Sequence, residues 1–440
     1  MFIIGNYIGR KRGKKVVDFY DDPVQMEPLV IDGSRPVYNS LIGLAHELSE
    51  ASACLDAALV PSTAKGLSTL VENMNCYYSN LIEGHKTLPI DIEAALQQAT
   101  ERADQKDLQS LAFAHIEADR WARQQRLTEE TLRPFLLDVH RVFCQHLPED
   151  LQRLSDGSIM TPGEFRPTNK EVQVGRHLAP KAETLGRFLE RYTKVYGQRL
   201  EWAKKDGISK LDGIVASFAA HHRLAWIHPF LDGNGRVARI TLDAMLRECG
   251  VNGSCLWSMS RGFAKTSEDY KAKLANADQP RMGDLDGRGN LSEKRLAEFI
   301  EYSLRTAVDQ AKYMGSMFAL ENFQARVEGY FNRVRFDLKP ESAYLFLHAF
   351  RLGEFERGEA SRITGLSERV ARDVLGRLLA EGLLLSDTPK GRVRVGFPVH
   401  ALGSLLPNLY PAGDVDITPE QLRRLIGVAK QKIVKPSQRT

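Results

Sequence analysis

From about residue 35 to residue 331 the apolar residues of this chain return at steps of three and four, and long strand-like alternation is scarce. That period predicts a mostly α fold, built from amphipathic helices joined by short connections. The clearest stripe runs from Thr63 to Gly84 through Leu67, Leu70, Val71, Met74, Tyr78 and Leu81, with Thr63 as the expected N-cap and Gly84 as the stop. A second helix is expected from about Leu211 to Trp226. A third begins near Arg236, carries Ala238, Leu242, Met245 and Cys249 on one face, and stops at Gly250. Between the first two, the extended run Val172, Gln173, Val174, followed by Gly175, predicts a small β-hairpin, with an ordinary connecting loop as the alternative.

After Phe331 the texture changes. A charged stretch with Pro340 reads as a linker, followed by helices at Tyr344 to Leu352, Gly358 to Thr364 and Ser367 to Gly382, then two short extended runs joined by Pro389, Lys390 and Gly391. That order predicts a winged helix-turn-helix domain.

No apolar run approaches the roughly 18 residues a membrane-spanning helix needs. The apolar start MFIIGNYIG is followed, not preceded, by the basic cluster Arg10, Lys11, Arg12, Lys14 and Lys15, the reverse of a secretory leader, so a cytoplasmic location without a membrane partner is expected. Five cysteines, never spaced as CxxC, suggest neither a disulfide framework nor a zinc site. With 60 basic against 56 acidic residues the chain as a whole is too balanced for nucleic-acid binding. Residues 341–440 hold 15 Lys/Arg against 11 Asp/Glu, which leaves a DNA partner open for the C-terminal unit; a homodimer is open as well.

The chemistry concentrates in IHPFLDGNGRVAR, residues 227–239. Gly233, Asn234 and Gly235 let successive backbone N–H groups form an anion nest at the start of a helix. Arg236 and Arg239, neighbours on the helix surface, suit phosphate oxygens, and Asp232 suits Mg²⁺. His228 is neutral near pH 7 at its ordinary pKa and can take a hydroxyl proton. Two rival readings are a dinucleotide fingerprint, since Gly233 to Ala238 spells GxGxxA, and a plain glycine turn. The first needs a preceding strand where the period here is helical, and the second requires neither His, Asp nor paired Arg.

These residues resemble the Fic motif, HPFx[DE]GNGRxxR, at every specified position. The resemblance implies a helical Fic domain that transfers AMP from ATP to a Tyr, Ser or Thr hydroxyl of a protein target. It implies His228 as general base, Asp232 as ligand of Mg²⁺ (or Mn²⁺), Asn234 on the α-phosphate, the nest and Arg236 on the diphosphate, and Arg239 on the γ-phosphate. By the same likeness Phe165, Arg166, Pro167 and Val172 to Gly175 would be a flap that pairs with the target as an added strand. Tyr270 would contact adenine, with a core aromatic as its alternative. Ser79 to Gly84 fits the family's inhibitory pattern [ST]xxxE[GN], which implies that Glu83 pairs with Arg239 and blocks the γ-phosphate. Two alternative functions accompany this reading: removal of AMP at the same site, and a DNA-binding regulator with a Fic sensor domain. The stretch Asp284 to Gly289 imitates a calcium loop but places Arg288 and Arg295 where oxygen ligands are required, and reads instead as a cap for the helix starting near Glu293. The expected division is an N-terminal extension 1–34, a helical region 35–110 with the inhibitory helix at about 63–84, a catalytic core 111–331, a linker 332–340, the winged helix-turn-helix at 341–400 and a tail 401–440.

Overall fold

The computed structural model describes residues 6–7, 20–96, 106–205, 207–411 and 413–415. The basic cluster Arg10 to Lys15 and the tail beyond residue 415 lie outside the described residues. The chain is mostly helical, in the order β1 (Asn6–Tyr7), α1 (Pro36–Ala57), α2 (Pro61–Ile82), α3 (Pro89–Leu96), α4 (Lys106–Arg123), α5 (Glu129–Gln145) and the single turn α6 (Glu149–Gln152). There follow β2 (Val172–Val174), β3 (His177–Leu178), α7 (Leu185–Ala203), α8 (Ile208–Ile227), α9 (Asn234–Glu248), α10 (Met259–Lys265), α11 (Ser267–Ala277), α12 (Glu293–Phe318) and α13 (Leu320–Gly329). Helix α8 is the central post: every residue from Gly213 to Leu224 is buried, and α1, α7, α9 and α12 pack around it. Its buried polar side chains Ser217, His221, His222 and Arg223 are hydrogen-bonded to backbone carbonyls, so the helix can be covered on every side.

Helix α2 begins two residues before Thr63. Pro61 occupies the first turn, where its preset φ and missing N–H cost nothing, and Val60 is the cap residue. The expected N-cap, Thr63, is instead buried inside the helix, and its hydroxyl donates to the Phe350 carbonyl at 2.8 Å. Strands β2 and β3 form an antiparallel hairpin with Val174 opposite His177, and Gly175 at φ 59° supplies the left-handed residue of the two-residue turn. On its other edge β2 pairs with β1, which makes a three-stranded sheet of order β1-β2-β3. The calcium-like stretch is a helix cap: Ser292 accepts the Arg295 N–H at 3.1 Å, while Asp286 Oδ1 accepts from Ser292 Oγ and the Lys294 N–H, each at 2.9 Å.

The C-terminal unit contains α14 (Ser342–Leu352), β4 (Glu354–Phe355), α15 (Ala360–Thr364), α16 (Glu368–Ala380), β5 (Leu384–Leu385), β6 (Val393–Val395) and α17 (Val399–Leu405), its sheet ordered β4-β6-β5. Three expected boundaries move. The division at residues 110 and 111 falls inside the continuous helix α4. The stretch 332–340 is tied down, with Arg335 pairing to Asp337 at 2.8 Å and Arg377 to Asp337 at 2.9 Å. The start of the expected tail is folded: α17 is helical and Leu409 and Tyr410 are buried. That segment lies on α2, where Tyr78 donates to the Leu409 carbonyl at 2.9 Å, Tyr410 stacks on Tyr78 at 6.2 Å, and Lys86 pairs with Asp414 at 2.6 Å.

Candidate active site

Helix α8 ends at His228, whose backbone turns into the left-handed region at φ 49° and ψ 63°. That conformation costs a β-carbon-bearing residue roughly 1–2 kcal/mol, so neighbouring contacts must hold it. Arg166 supplies them: its Nε donates to the His228 carbonyl at 3.1 Å and its backbone N–H to the Pro229 carbonyl at 2.9 Å. The His228 imidazole has Nδ1 3.4 Å from the Ala225 carbonyl. With Nδ1 donating there, the tautomer leaves Nε2 as a proton acceptor. Burial, and after it the neighbouring His177, pushes the His228 pKa down to about 3, so the ring is neutral throughout the physiological range.

The loop after His228 closes through Asn234, whose Oδ1 accepts the Phe230 N–H at 2.9 Å while its Nδ2 donates to the Phe230 carbonyl at 2.8 Å. Each polar atom of this buried side chain makes one bond to the loop, and the second Nδ2 hydrogen is left for another acceptor. Gly233, at φ 78° and ψ 0°, is the N-cap of α9, and the helix starts at Asn234, two residues ahead of expectation. The first N–H groups of such a helix have no partner within it and face the same region as its positive dipole end. Asp232 is exposed and accepts the Gly233 N–H at 2.7 Å through Oδ1. Among the described residues no three His, Cys, Asp or Glu side chains gather to hold a metal. The donor set therefore fits Mg²⁺ or Mn²⁺ only where Asp232 is joined by the phosphates of a bound nucleotide.

Arg236 and Arg239 are both buried, at 6% and 3% exposure, and they are used differently. Arg236 donates through Nε to Asn80 Oδ1 at 3.2 Å and lies over the Phe143 ring, but its Nη2 is buried without a hydrogen-bond partner. A buried, unsatisfied guanidinium donor is costly, and an anion delivered to it would remove the penalty. Arg239 is held by the end of α2 through Nε and Nη2. Its Nε donates to Ser79 Oγ at 3.0 Å and its Nη2 to the Ser79 carbonyl at 3.1 Å and to Glu83 Oε1 at 2.8 Å. The Glu83 carboxylate sits against the first turn of α9 so closely that a β-carbon added to Gly235 would lie 2.1 Å from Oε1. Burial pushes the Glu83 pKa up, but the charges of Arg239 and Arg236, the Arg239 hydrogen bond and Lys271 together hold it below the usual carboxylate value. Glu83 thus stands as an anion between Arg239 and the first turn of α9.

Of the expected site residues, then, His228, Asp232, Gly233, Gly235, Arg236 and Arg239 share one loop and helix start, Ser79 and Glu83 meet Arg239 from the end of α2, and Gly84 follows Glu83 with a left-handed φ of 87°. Tyr270 lies beside Arg239, within hydrogen-bond reach of its guanidinium, and feels the Glu83 charge. It is buried, with its hydroxyl 2.8 Å from His221 Nε2 and its ring 4.1 Å from Phe263, so it packs as an aromatic at the edge of the site. Two participants carried no assignment from sequence, Asn80 on Arg236 and His177, whose Nε2 is 2.7 Å from the Trp226 carbonyl; Arg166, expected with the flap, holds His228 through its guanidinium. Asn80 was an unspecified position inside the motif Ser79 to Gly84, and only its place one residue past Ser79 hinted at it.

Residues 132–246 match the Fic/DOC family, so the loop and arginines described above lie within a Fic/DOC domain. Over 115 residues the chain is 34% identical to Protein adenylyltransferase Fic of Drosophila erecta, covering 26% of this chain and 19% of that protein. It is 33% identical over 115 residues to the protein of the same name in Drosophila melanogaster, covering 26% and 20%. The matched segment spans about a fifth of these curated relatives. A solved Fic family protein from Desulfovibrio desulfuricans G20 superposes with a TM-score of 0.48 and 17% identity, covering 84% of this chain and 98% of that one.

Proposed function

We propose that this protein is an adenylyltransferase that moves AMP from ATP to a hydroxyl side chain of a protein, and that Glu83 holds this activity low. The observation that carries the reading is the contrast between the two arginines of α9: one buried guanidinium has an unfilled donor at a helix N-terminus, and the other is filled by a carboxylate from α2. Both are positions for phosphate oxygens. In the transfer, the target oxygen forms a bond to the α-phosphorus, the bond from that phosphorus to the bridging oxygen breaks, pyrophosphate leaves, and the target's proton passes to His228. A half-buried neutral imidazole gains proton affinity when the negative triphosphate lies beside it, which offsets its low pKa in the free protein. Mg²⁺ held by Asp232 and the phosphates would neutralise charge on the leaving group. The hairpin β2–β3 is the proposed flap, through Val172, Gln173, Val174 and Gly175, on which a target segment lies as an added strand.

The test pairs nucleotide binding with transfer in His228→Ala. ATP binding measured by calorimetry should stay close to wild type, while transfer from labelled ATP falls by about 10²–10⁴-fold, the usual contribution of a positioned base. Transfer at the wild-type rate would remove His228 from the mechanism. The reverse reaction has one observation in its favour, the Glu83 carboxylate lying against the anion site, where it can orient a water. AMP release from a modified protein that disappears in Glu83→Gly would identify it. The C-terminal unit is read as a winged helix-turn-helix, α15 and α16 being the helix pair and β5–β6 the wing. A DNA contact there would rest on the exposed Arg369 and Arg372, since Arg377 is paired with Asp337. Two charges deliver little phosphate-driven affinity, which favours a protein contact for this unit.

A further inference from the structure

The last carbonyls of helix α8 have no partners within the helix and must find them outside it. The hairpin and the segment leading into it supply them. On β3, His177 holds the Trp226 carbonyl through Nε2 at 2.7 Å. Arg166, ahead of β2, takes two more: its Nε donates to the His228 carbonyl at 3.1 Å and its backbone N–H to the Pro229 carbonyl at 2.9 Å. A cation suits that end of a helix, where the macrodipole is negative. The same guanidinium closes the base of the hairpin. Nη1 donates at 3.2 Å to the carbonyl of Lys170, just before β2, and Nη2 donates to the carbonyl of Pro180, just after β3. Glu171 links the two arms as well, accepting from Nη1 at 3.5 Å and from the Ala182 N–H at 3.2 Å. The Arg166 side chain is 0% exposed, so these acceptors and not water set its orientation. Burial pushes its pKa down to about 10, which leaves it charged near neutrality. One rigid plane thus ties both arms of the hairpin to the backbone of His228, whose left-handed φ of 49° needs outside support.

We propose that Arg166 is a positioning residue for the transfer, holding the His228 imidazole at a fixed place relative to the hairpin on which the target segment lies. This role rests on the transferase reading above. The hydroxyl that loses its proton arrives with the hairpin, and the imidazole that takes the proton arrives with the end of α8, so slack between the two separates the reacting pair. A misplacement of about 1 Å can cost about 10²-fold in rate. Lysine cannot stand in, because one ammonium on a flexible stem does not meet acceptors in several directions as the planar fork does. His177 ties β3 to Trp226 alone, whereas Arg166 reaches both arms and His228 itself.

The experiment uses the full chain carrying Glu83→Gly, with Arg166→Lys, His228→Ala and both together added to it. Each protein is assayed for self-labelling from radioactive ATP with Mg²⁺, for ATP binding by calorimetry and for its denaturant midpoint. Arg166→Lys should lower kcat by about 10²-fold with the KM for ATP and ATP binding unchanged, the mark of an interaction that counts only in the transition state. Added to His228→Ala it should cost nothing further, since the imidazole through which it acts is gone. An equal fall in both backgrounds would make Arg166 plain scaffold, and a raised KM with kcat intact would make it a nucleotide contact; either result overturns the proposal. If Arg166→Lys gives no cooperative unfolding transition, Glu171→Gln loosens the guanidinium on one side only. A fall of about fivefold is then expected, again absent in His228→Ala, and a fall of the same size there would overturn the positioning role. Full activity of Arg166→Lys in an active Glu83→Gly protein sinks this role alone and leaves the transferase reading standing. No labelling and no pyrophosphate release from Glu83→Gly itself sinks both.

Discussion

The two parts of helix α2 are held by different forces. Over residues 61–78 the grip is mainly apolar: Leu67 and Met74 are fully buried, and Tyr78 and Tyr410 stack where the C-terminal segment crosses the helix. Over the last turn the grip is polar, with Ser79 and Glu83 on Arg239 and Asn80 on Arg236. Apolar surface, once covered, has no partner in water to return to, and each large side chain contributes about 1.5–3 kcal/mol on burial. A carboxylate on a guanidinium is different, because another anion can replace it and the desolvation already suffered largely offsets its attraction. One helix is thus scaffold along most of its length and exchangeable at its tip.

The sharpest way to break this contrast is to cut into each part separately. Leu67→Ala should destabilise the protein by about 2–5 kcal/mol through the cavity it leaves, read as a lower denaturant midpoint without a rise in transfer. If it instead activated the enzyme as strongly as a tip substitution, the division between scaffold and tip would be false.

Glu83→Gly should do the opposite, raising transfer while leaving the midpoint nearly unchanged. Two charges about 4 Å apart interact by roughly 4 kcal/mol at an effective dielectric near 20, and half of that corresponds to about thirtyfold in the competent state. Self-labelling with radioactive ATP and Mg²⁺ measures the gain, and adding Arg239→Ala should abolish it. No gain in the single variant would reduce the tip to ordinary packing.

A smaller effect is expected where the two grips meet. Tyr78→Phe removes the hydrogen bond to the Leu409 carbonyl and keeps the ring, so a loss of about 1 kcal/mol in thermal or denaturant unfolding is expected, with little change in transfer. A large rise in transfer would show that the C-terminal segment acts on the tip.

The smallest expected effect is that of pH. The Glu83 pKa is lowered, so its ion pair with Arg239 is complete above the ordinary carboxylate pKa and is lost only as pH falls through the lowered value. His228, held down to about 3, likewise gains its proton only far below neutrality. The ratio of Glu83→Gly to wild-type transfer should therefore be flat between about pH 6 and pH 8, and a bend near 6.5 would mean that an ordinary histidine governs the step.

The loop from His228 to Arg239 was legible because its chemistry is local: a glycine turn, a helix start and two arginines three apart need only short-range geometry to converge. The stripe of α2 was legible for a related reason, since helical period alone decides which side faces the core. What could not be read was how each polar atom is used. Asn234 looks like a phosphate ligand in the motif, and nothing local showed that its amide also closes the loop on Phe230. Tyr270 has a plausible spacing, and only the packing showed that its hydroxyl meets His221 and Arg239 while its ring lies on Phe263. The Thr63 hydroxyl is at hand to cap a helix, but Pro61 starts that helix earlier and a carbonyl from residue 350 claims the hydroxyl.

By itself the sequence determined the helical class of the fold, the residues of the phosphate-like loop and the presence of an acid at the end of α2. Each of these depends on neighbours within a turn or two of helix, where backbone geometry leaves few choices. Only the tertiary structure decided that Glu83, 156 residues before Arg239, reaches its guanidinium, that Arg236 keeps one donor unfilled, and that strand β1 covers the edge of β2. Those outcomes turn on the packing of whole helices and the pairing of distant strands, in which a shift of a single residue in register moves a side chain to the other face.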